Sequence, residues 1–173
     1  MKISVLTGEQ KKYFMKEAIL EAKKAELINE VPIGAIVVLD GKIIGRGHNV
    51  RELSQDATTH AELLAIKDAN RKLGSWRLER AQLFVTLEPC PMCSGAILMS
   101  RIDEVFYGAK DPKGGTVDSL MNLLQDNRFN HMSYVESGIL ENECGQLLTD
   151  FFKKLRNRKK KQKKTSISDR SLV

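Results

Sequence analysis

Residues 83–98 read LFVTLEPCPMCSGAIL, and the order of residue types in this stretch decides the fold. Residues 83–87 form a short apolar run, the pattern of a buried strand. Pro89-Cys90-Pro91 ends it, because proline fits the first turn of a helix but not its interior, and Ala96, Ile97 and Leu98 carry that helix onward. On the C-terminal side, 105–108 reads as a second strand, followed by a loop at Gly114-Gly115 and a short helix over 119–125. A strand near 132–135 and a helix from about Glu141 complete that half. On the N-terminal side, residues 34–39 and 42–47 flank Asp40-Gly41, a dipeptide that tolerates positive φ and favours a two-residue hairpin. Before them, Phe14, Ala18, Ala22 and Ala25 recur at helical spacing, Met15 and Ile19 widen the stripe, and Thr7 with Gln10 forms a capping box. That predicts a helix over about 8–28. A polar loop over 50–58 precedes a further helix, capped by Thr58 or Thr59, that runs through Leu63, Leu64 and Ile66 to a stop at Gly74. The order α-β-β-α-β-α-β-α-β-α predicts an α/β protein, one sheet with helices on its faces.

The length of 173 residues suits one core, which usually carries roughly 100–200 residues. We expect a single domain over 1–156 and a basic C-terminal tail over 157–173, partly disordered. Apolar runs such as 35–39 are far short of the ~20 residues of a membrane helix, and no charged-then-apolar leader opens the sequence. Three cysteines, two of them three positions apart, do not make a disulfide scaffold; they read as metal ligands or a redox pair in a reducing compartment. The expected location is the cytoplasm. The net charge of +6 is unevenly spread: residues 153–173 hold ten Lys and Arg against one acid, so the remainder is net acidic. The run KKLRNRKKKQKK over 153–164 either draws polyanions or serves as a solubilising terminus.

His60-Ala61-Glu62 and Cys90-Pro91-Met92-Cys93 carry the chemistry. Two thiolates three apart at a helix start can converge on one tetrahedral cation, and the positive helix end favours their ionised form. A redox pair or two core cysteines would show the same spacing. His60 also falls at a predicted helix start, so three ligands can meet across adjacent strand ends and leave a fourth position for water. Zinc there would ionise the water near neutral pH, with Glu62 within reach as proton shuttle. A closed site with Cys144 as fourth ligand is the competing arrangement. His48 and His131 read as polar packing.

His-x-Glu followed by Pro-Cys-x-x-Cys is the signature of zinc-dependent nucleobase deaminases. With Val31-Pro32-Ile33-Gly34-Ala35, Gly47-His48-Asn49, Gly108-Ala109-Lys110-Asp111 and Asp150-Phe151-Phe152 in matching order, the sequence resembles the bacterial tRNA-specific adenosine deaminases over about 8–155. The resemblance implies a three-layer α/β/α cytidine-deaminase-like fold with a central five-stranded mixed sheet, one zinc ion per subunit on His60, Cys90 and Cys93, and Glu62 as general acid/base. It implies a homodimer that converts the wobble adenosine of an arginine tRNA to inosine. Asn49 would hydrogen-bond the base, and Pro32, His48, Ala61, Asp111, Phe152 and Lys153 would complete the substrate contacts. His48 stands where relatives can carry a larger aromatic, and Lys153 where some place arginine. Two other functions share the metal motif: a small-molecule deaminase acting on guanine, cytosine or a nucleotide, and a noncatalytic RNA-binding protein stabilised by zinc. A sheet-surface RNA-binding module finds no support, because aromatic residues make up only 6% of the chain and no strand is rich in them.

Overall fold

Each central strand alternates its side chains between two separate apolar clusters, and this alternation makes the architecture three-layered. We describe residues 4–168 of a computed structural model, with side chains to residue 162. The elements run α1 (Gly8–Leu27), β1 (Gly34–Leu39), β2 (Lys42–His48), α2 (Arg51–Ser54), α3 (Ala61–Leu73), β3 (Gln82–Leu87), α4 (Pro91–Met99), β4 (Glu104–Ala109), β5 (Tyr134–Ser137) and α5 (Glu141–Ser168). The five strands form one sheet in the order β2-β1-β3-β4-β5. β1 is antiparallel to β2 and β3, whereas β3, β4 and β5 are parallel, so the sheet is mixed.

Ala35, Val37, Leu83, Val85, Val105 and Tyr107 point into a cluster shared with Ala65 and Ile66 of α3 and Ile97 of α4. Their neighbours Ile36, Val38, Phe84 and Phe106 point the other way, against Phe14, Met15 and Ala18 of α1 and Cys144 of α5. A period of two serving two cores is what a strand covered on both faces requires. Phe84 and Phe106 stack with ring centroids 4.6 Å apart at the middle of the second core.

Local signals explain most element boundaries. The Thr7–Gln10 capping box forms as expected at the start of α1. Asp40 and Gly41 both take positive φ in the hairpin turn, and Gly74 ends α3 in the left-handed conformation. α3 lies unusually close to β2, because side chains are absent where the two touch: a Cβ on Gly47 would stand 2.3 Å from the Ala61 carbonyl oxygen, and one on Gly45 2.2 Å from that of Ala65.

Several expectations need correction. No helix forms over 119–125; the segment is a series of turns, in which the amides of Leu120 and Leu123 donate to the carbonyls of Gly115 and Thr116, five and seven residues back rather than the four of an α-helix. β5 begins two residues later than expected, because the Ser133 amide donates to the Leu124 carbonyl rather than to β4. His60, rather than Thr58 or Thr59, occupies the N-cap of α3. The polar stretch after Val50 contains the short helix α2. Apart from these corrections, α5 continues as helix through residues 157–168, where Lys, Arg and Gln are good helix formers. Of the expected tail, residues 169–173 lie outside the described residues.

Candidate active site

The sequence places a candidate metal ligand at the start of each of two helices on the same face of the sheet. His60 is the N-cap of α3 and Cys90 the N-cap of α4, both in extended backbone, and Cys93 lies one turn into α4. His60 Nδ1 stands 3.6 Å from Cys90 Sγ and 3.7 Å from Cys93 Sγ, and the three ligand atoms all fall within 4.8 Å of one another. Zn–S bonds of about 2.3 Å and Zn–N bonds of about 2.0 Å at tetrahedral angles separate sulfur from nitrogen by roughly 3.5 Å. The residues present therefore fit a tetrahedral zinc ion.

The electrostatics agree with that donor set. Hydrogen bonding from the Cys93 thiol, and secondarily to His60, brings Cys90 down to about 4 against the opposing effect of burial. The same bond and burial drive Cys93 upward, while its bond to Cys90 raises His60. Two thiols this close share one charge, and a divalent cation lets both ionise. Cys144 is buried on the opposite face of the sheet, in the core beneath α5, so the closed four-ligand site does not form.

Glu62 follows in the first turn of α3 and is 4% exposed. Burial pushes its carboxyl up to about 7, with the Cys90 charge adding to the rise. It faces a cavity of about 260 Å³ whose wall also includes His60, Ala61, Cys90, Asn49, Asp111 and Phe152. A second cavity, of about 460 Å³, lies between the end of α1 and α5, where Lys154 pairs with Glu26 at 2.8 Å and Arg158 bonds Asn29 at 2.9 Å.

Of the expected substrate contacts, Asn49, Ala61, Asp111 and Phe152 line the first cavity. Pro32 does not; it is buried between Val31 and Ile33, which do. His48 turns toward α1, with Nδ1 3.3 Å from the Glu21 carboxylate. Lys153 is exposed on α5 and outside the wall. Asn49 is 5% exposed, and its Nδ2 donates to Glu30 and to the Val31 carbonyl at 3.3 Å each. Glu30 also accepts from the Leu53 amide at 2.6 Å and so anchors α2.

Sequence reasoning missed Glu88, Arg51, Val31, Ile33 and Leu87 in the wall. Glu88 follows β3 directly, and its five donors all come from residues 111–119. Burial alone would raise its carboxyl, but the bonds from the Ser119 hydroxyl and from the amides of Asp118, Asp111 and Ser119 bring it down to about 2. Only its place after an apolar strand hinted at burial.

Comparison with known proteins gives the same picture. The profile of the MafB19-like deaminase family matches residues 9–156. The tRNA-specific adenosine deaminase of Bacillus subtilis (strain 168) is 57% identical over 155 residues, 90% of this chain and 96% of that protein. A structure solved in studies of A-to-I editing by tRNA:A34 deaminases at the wobble position of transfer RNA superposes with a TM-score of 0.76 at 45% identity, covering 79% of this chain and 99% of the other. The guanine deaminase of Bacillus subtilis aligns less fully, with a TM-score of 0.55 at 41% identity over 57% of this chain and 64% of its own.

Proposed function

The chain belongs to the MafB19-like deaminases and, within them, to the bacterial tRNA-specific adenosine deaminases, and from that membership we propose that it hydrolyses the wobble adenosine of an arginine tRNA anticodon to inosine. The observation that carries this reading is the convergence of His60, Cys90 and Cys93 beside the buried Glu62 on the wall of one cavity. His60, Cys90 and Cys93 would hold one zinc ion per subunit. That cation supplies, when bound, a water that ionises near neutral pH.

The protein's own residues do the rest. Glu62 takes a proton from the attacking water and delivers it to N1 of the base as C6 gains oxygen. A second transfer through Glu62 protonates the amino group, which leaves as ammonia, and the C6 carbonyl of inosine forms; water and adenosine thus balance inosine and ammonia. Asn49, held by Glu30, contacts the base edge, while Ala61, Asp111 and Phe152 border it. An anticodon base is already splayed from its stack, which removes most of the few kcal/mol needed to flip a paired one.

The cations of α5 attract the RNA, since the body of the protein is net acidic. Deleting residues 157–173 weakens tRNA binding and flattens its dependence on salt, each lost phosphate contact taking about 0.7–0.9 from the slope, with metal content unchanged. Filter binding across a salt series measures this, and an unaltered slope removes the role. Met99, Leu120 and Met121 are exposed while Ile97, Leu98 and Leu124 are core, and the exposed three form the face of a homodimer, which sedimentation tests. A tRNA substrate places the enzyme in the cytoplasm. No helix among the described residues is long and apolar enough to cross a membrane.

Incubation with total tRNA followed by inosine sequencing tests the whole reading. Inosine at the first anticodon position of an arginine tRNA is expected. Ammonia release from free guanine with tRNA unmodified would transfer the site to small-molecule chemistry.

A further inference from the structure

Glu88 is a buried carboxylate to which neither metal binding nor proton transfer gives a task. It is 2% exposed, and each of its five hydrogen-bond donors belongs to residues 111–119. Oε1 accepts from the amides of Val117, Asp118 and Ser119 at 3.1, 2.8 and 2.8 Å. Oε2 accepts from the Asp111 amide at 3.0 Å and from the Ser119 hydroxyl. The segment lies directly on the carboxyl group: a Cβ on Gly115 would stand 2.2 Å from Glu88 Cδ.

Between β4 and β5 the described residues contain no helix or strand, so this backbone has no ladder of its own to fix it. Other ties exist. The Thr116 amide donates to the Pro89 carbonyl at 2.9 Å, Ser94 and Thr116 share a hydroxyl contact at 3.0 Å, and the Tyr107 hydroxyl donates to Asp118. These three do not reach Asp111, which lines the cavity beside His60 and Glu62; its carbonyl accepts from the Gly115 amide at 2.8 Å within the segment, and Glu88 is the residue outside the segment that holds its amide. Asp111 in turn shapes its own turn, accepting from the amides of Lys113 and Gly114 at 3.1 Å each.

We propose that Glu88 is a positioning residue: its carboxylate suspends residues 111–119 as one wall of the cavity and thereby sets Asp111 against the substrate. The substrate half of this inference rests on the deaminase reading above; the suspension of the segment does not. A wall that meets the substrate equally in the ground and transition states acts on KM rather than on kcat.

Glu88→Gln keeps the shape but turns an acceptor oxygen into a donor facing other donors. Amide hydrogen exchange at Asp111, Val117, Asp118 and Ser119 is expected to quicken about tenfold or more, the scale of a lost hydrogen bond to a charged group. Exchange in α3 and metal content should stay as in the unaltered protein. KM for tRNA should rise about tenfold with kcat within a factor of about three. Gly115→Ala, whose methyl group would press on the unaltered Glu88 carboxyl and push the segment off it, is expected to repeat the pattern and serves if Glu88→Gln does not fold. Unchanged exchange over 111–119 in both variants would overturn the suspension. Faster exchange with unchanged KM would overturn the positioning role, as would loss of metal or a fall confined to kcat. Should the substrate prove to be free guanine, KM is read on guanine and the exchange result stands by itself.

Discussion

Glu62→Ala leaves the protein folded, its metal bound and its tRNA affinity within a small factor, while turnover falls by roughly 10²–10⁴, the usual contribution of a positioned general acid/base. The expectation follows from where the side chain sits. Glu62 lies in the first turn of α3, faces the cavity, and is not one of the three grouped donor residues. Its removal takes a costly carboxyl out of a buried place, so the fold loses little. Single-turnover inosine formation, metal analysis and filter binding on one preparation separate the effects. Turnover within about tenfold of the original would assign proton transfer elsewhere. Loss of metal would make Glu62 a structural support of His60.

The second large effect is expected at the cysteines proposed to hold the cation. Cys93→Ser should reduce bound zinc to less than about a tenth and abolish turnover, since a hydroxyl is a poor substitute for a thiolate on this cation. Cys144→Ser should change neither, because that residue packs in the core on the other face of the sheet. Stability should follow the metal. A cation present at about 1,000 times its Kd contributes about 4 kcal/mol to folding. For a protein of this size that corresponds to a fall in Tm on the order of 10 °C on chelation. Calorimetry with and without chelator measures it, and a Tm indifferent to chelator in the unaltered protein would contradict a bound structural or catalytic cation.

Much of this could be read from the sequence because the decisive signals are local. The capping box at Thr7, the Asp40-Gly41 turn, the proline that ends β3 and opens α4, and the Gly74 stop each act within a few residues, and each appears where expected. His60, Cys90 and Cys93 could be grouped because metal chemistry restricts residue type and spacing. What escaped depends on partners far apart in the chain. Glu88 binds donors 23 to 31 residues away, and no spacing rule marks a glutamate for that task. The helix expected over 119–125 gives way to turns whose amides, those of Leu120 and Leu123, bond Gly115 and Thr116 rather than carbonyls four residues back, and no local spacing rule marks that choice. Nor does any spacing rule show that the ring of His48 meets Glu21 in α1, which also gathers Lys24 and Arg46. α2 escaped because it has only four residues and no buried side chain.

The two sides of the cavity are built in different ways. On one, α3 lies against β2 backbone to backbone over Gly45 and Gly47, so His60 and Glu62 sit on a rigid chassis in which any added methyl group would shift the ligands. On the other, the wall hangs from polar contacts that can be exchanged one at a time. Natural or engineered retuning of selectivity therefore has its freedom in the suspended wall, and the chemistry can stay constant while the range of accepted bases changes.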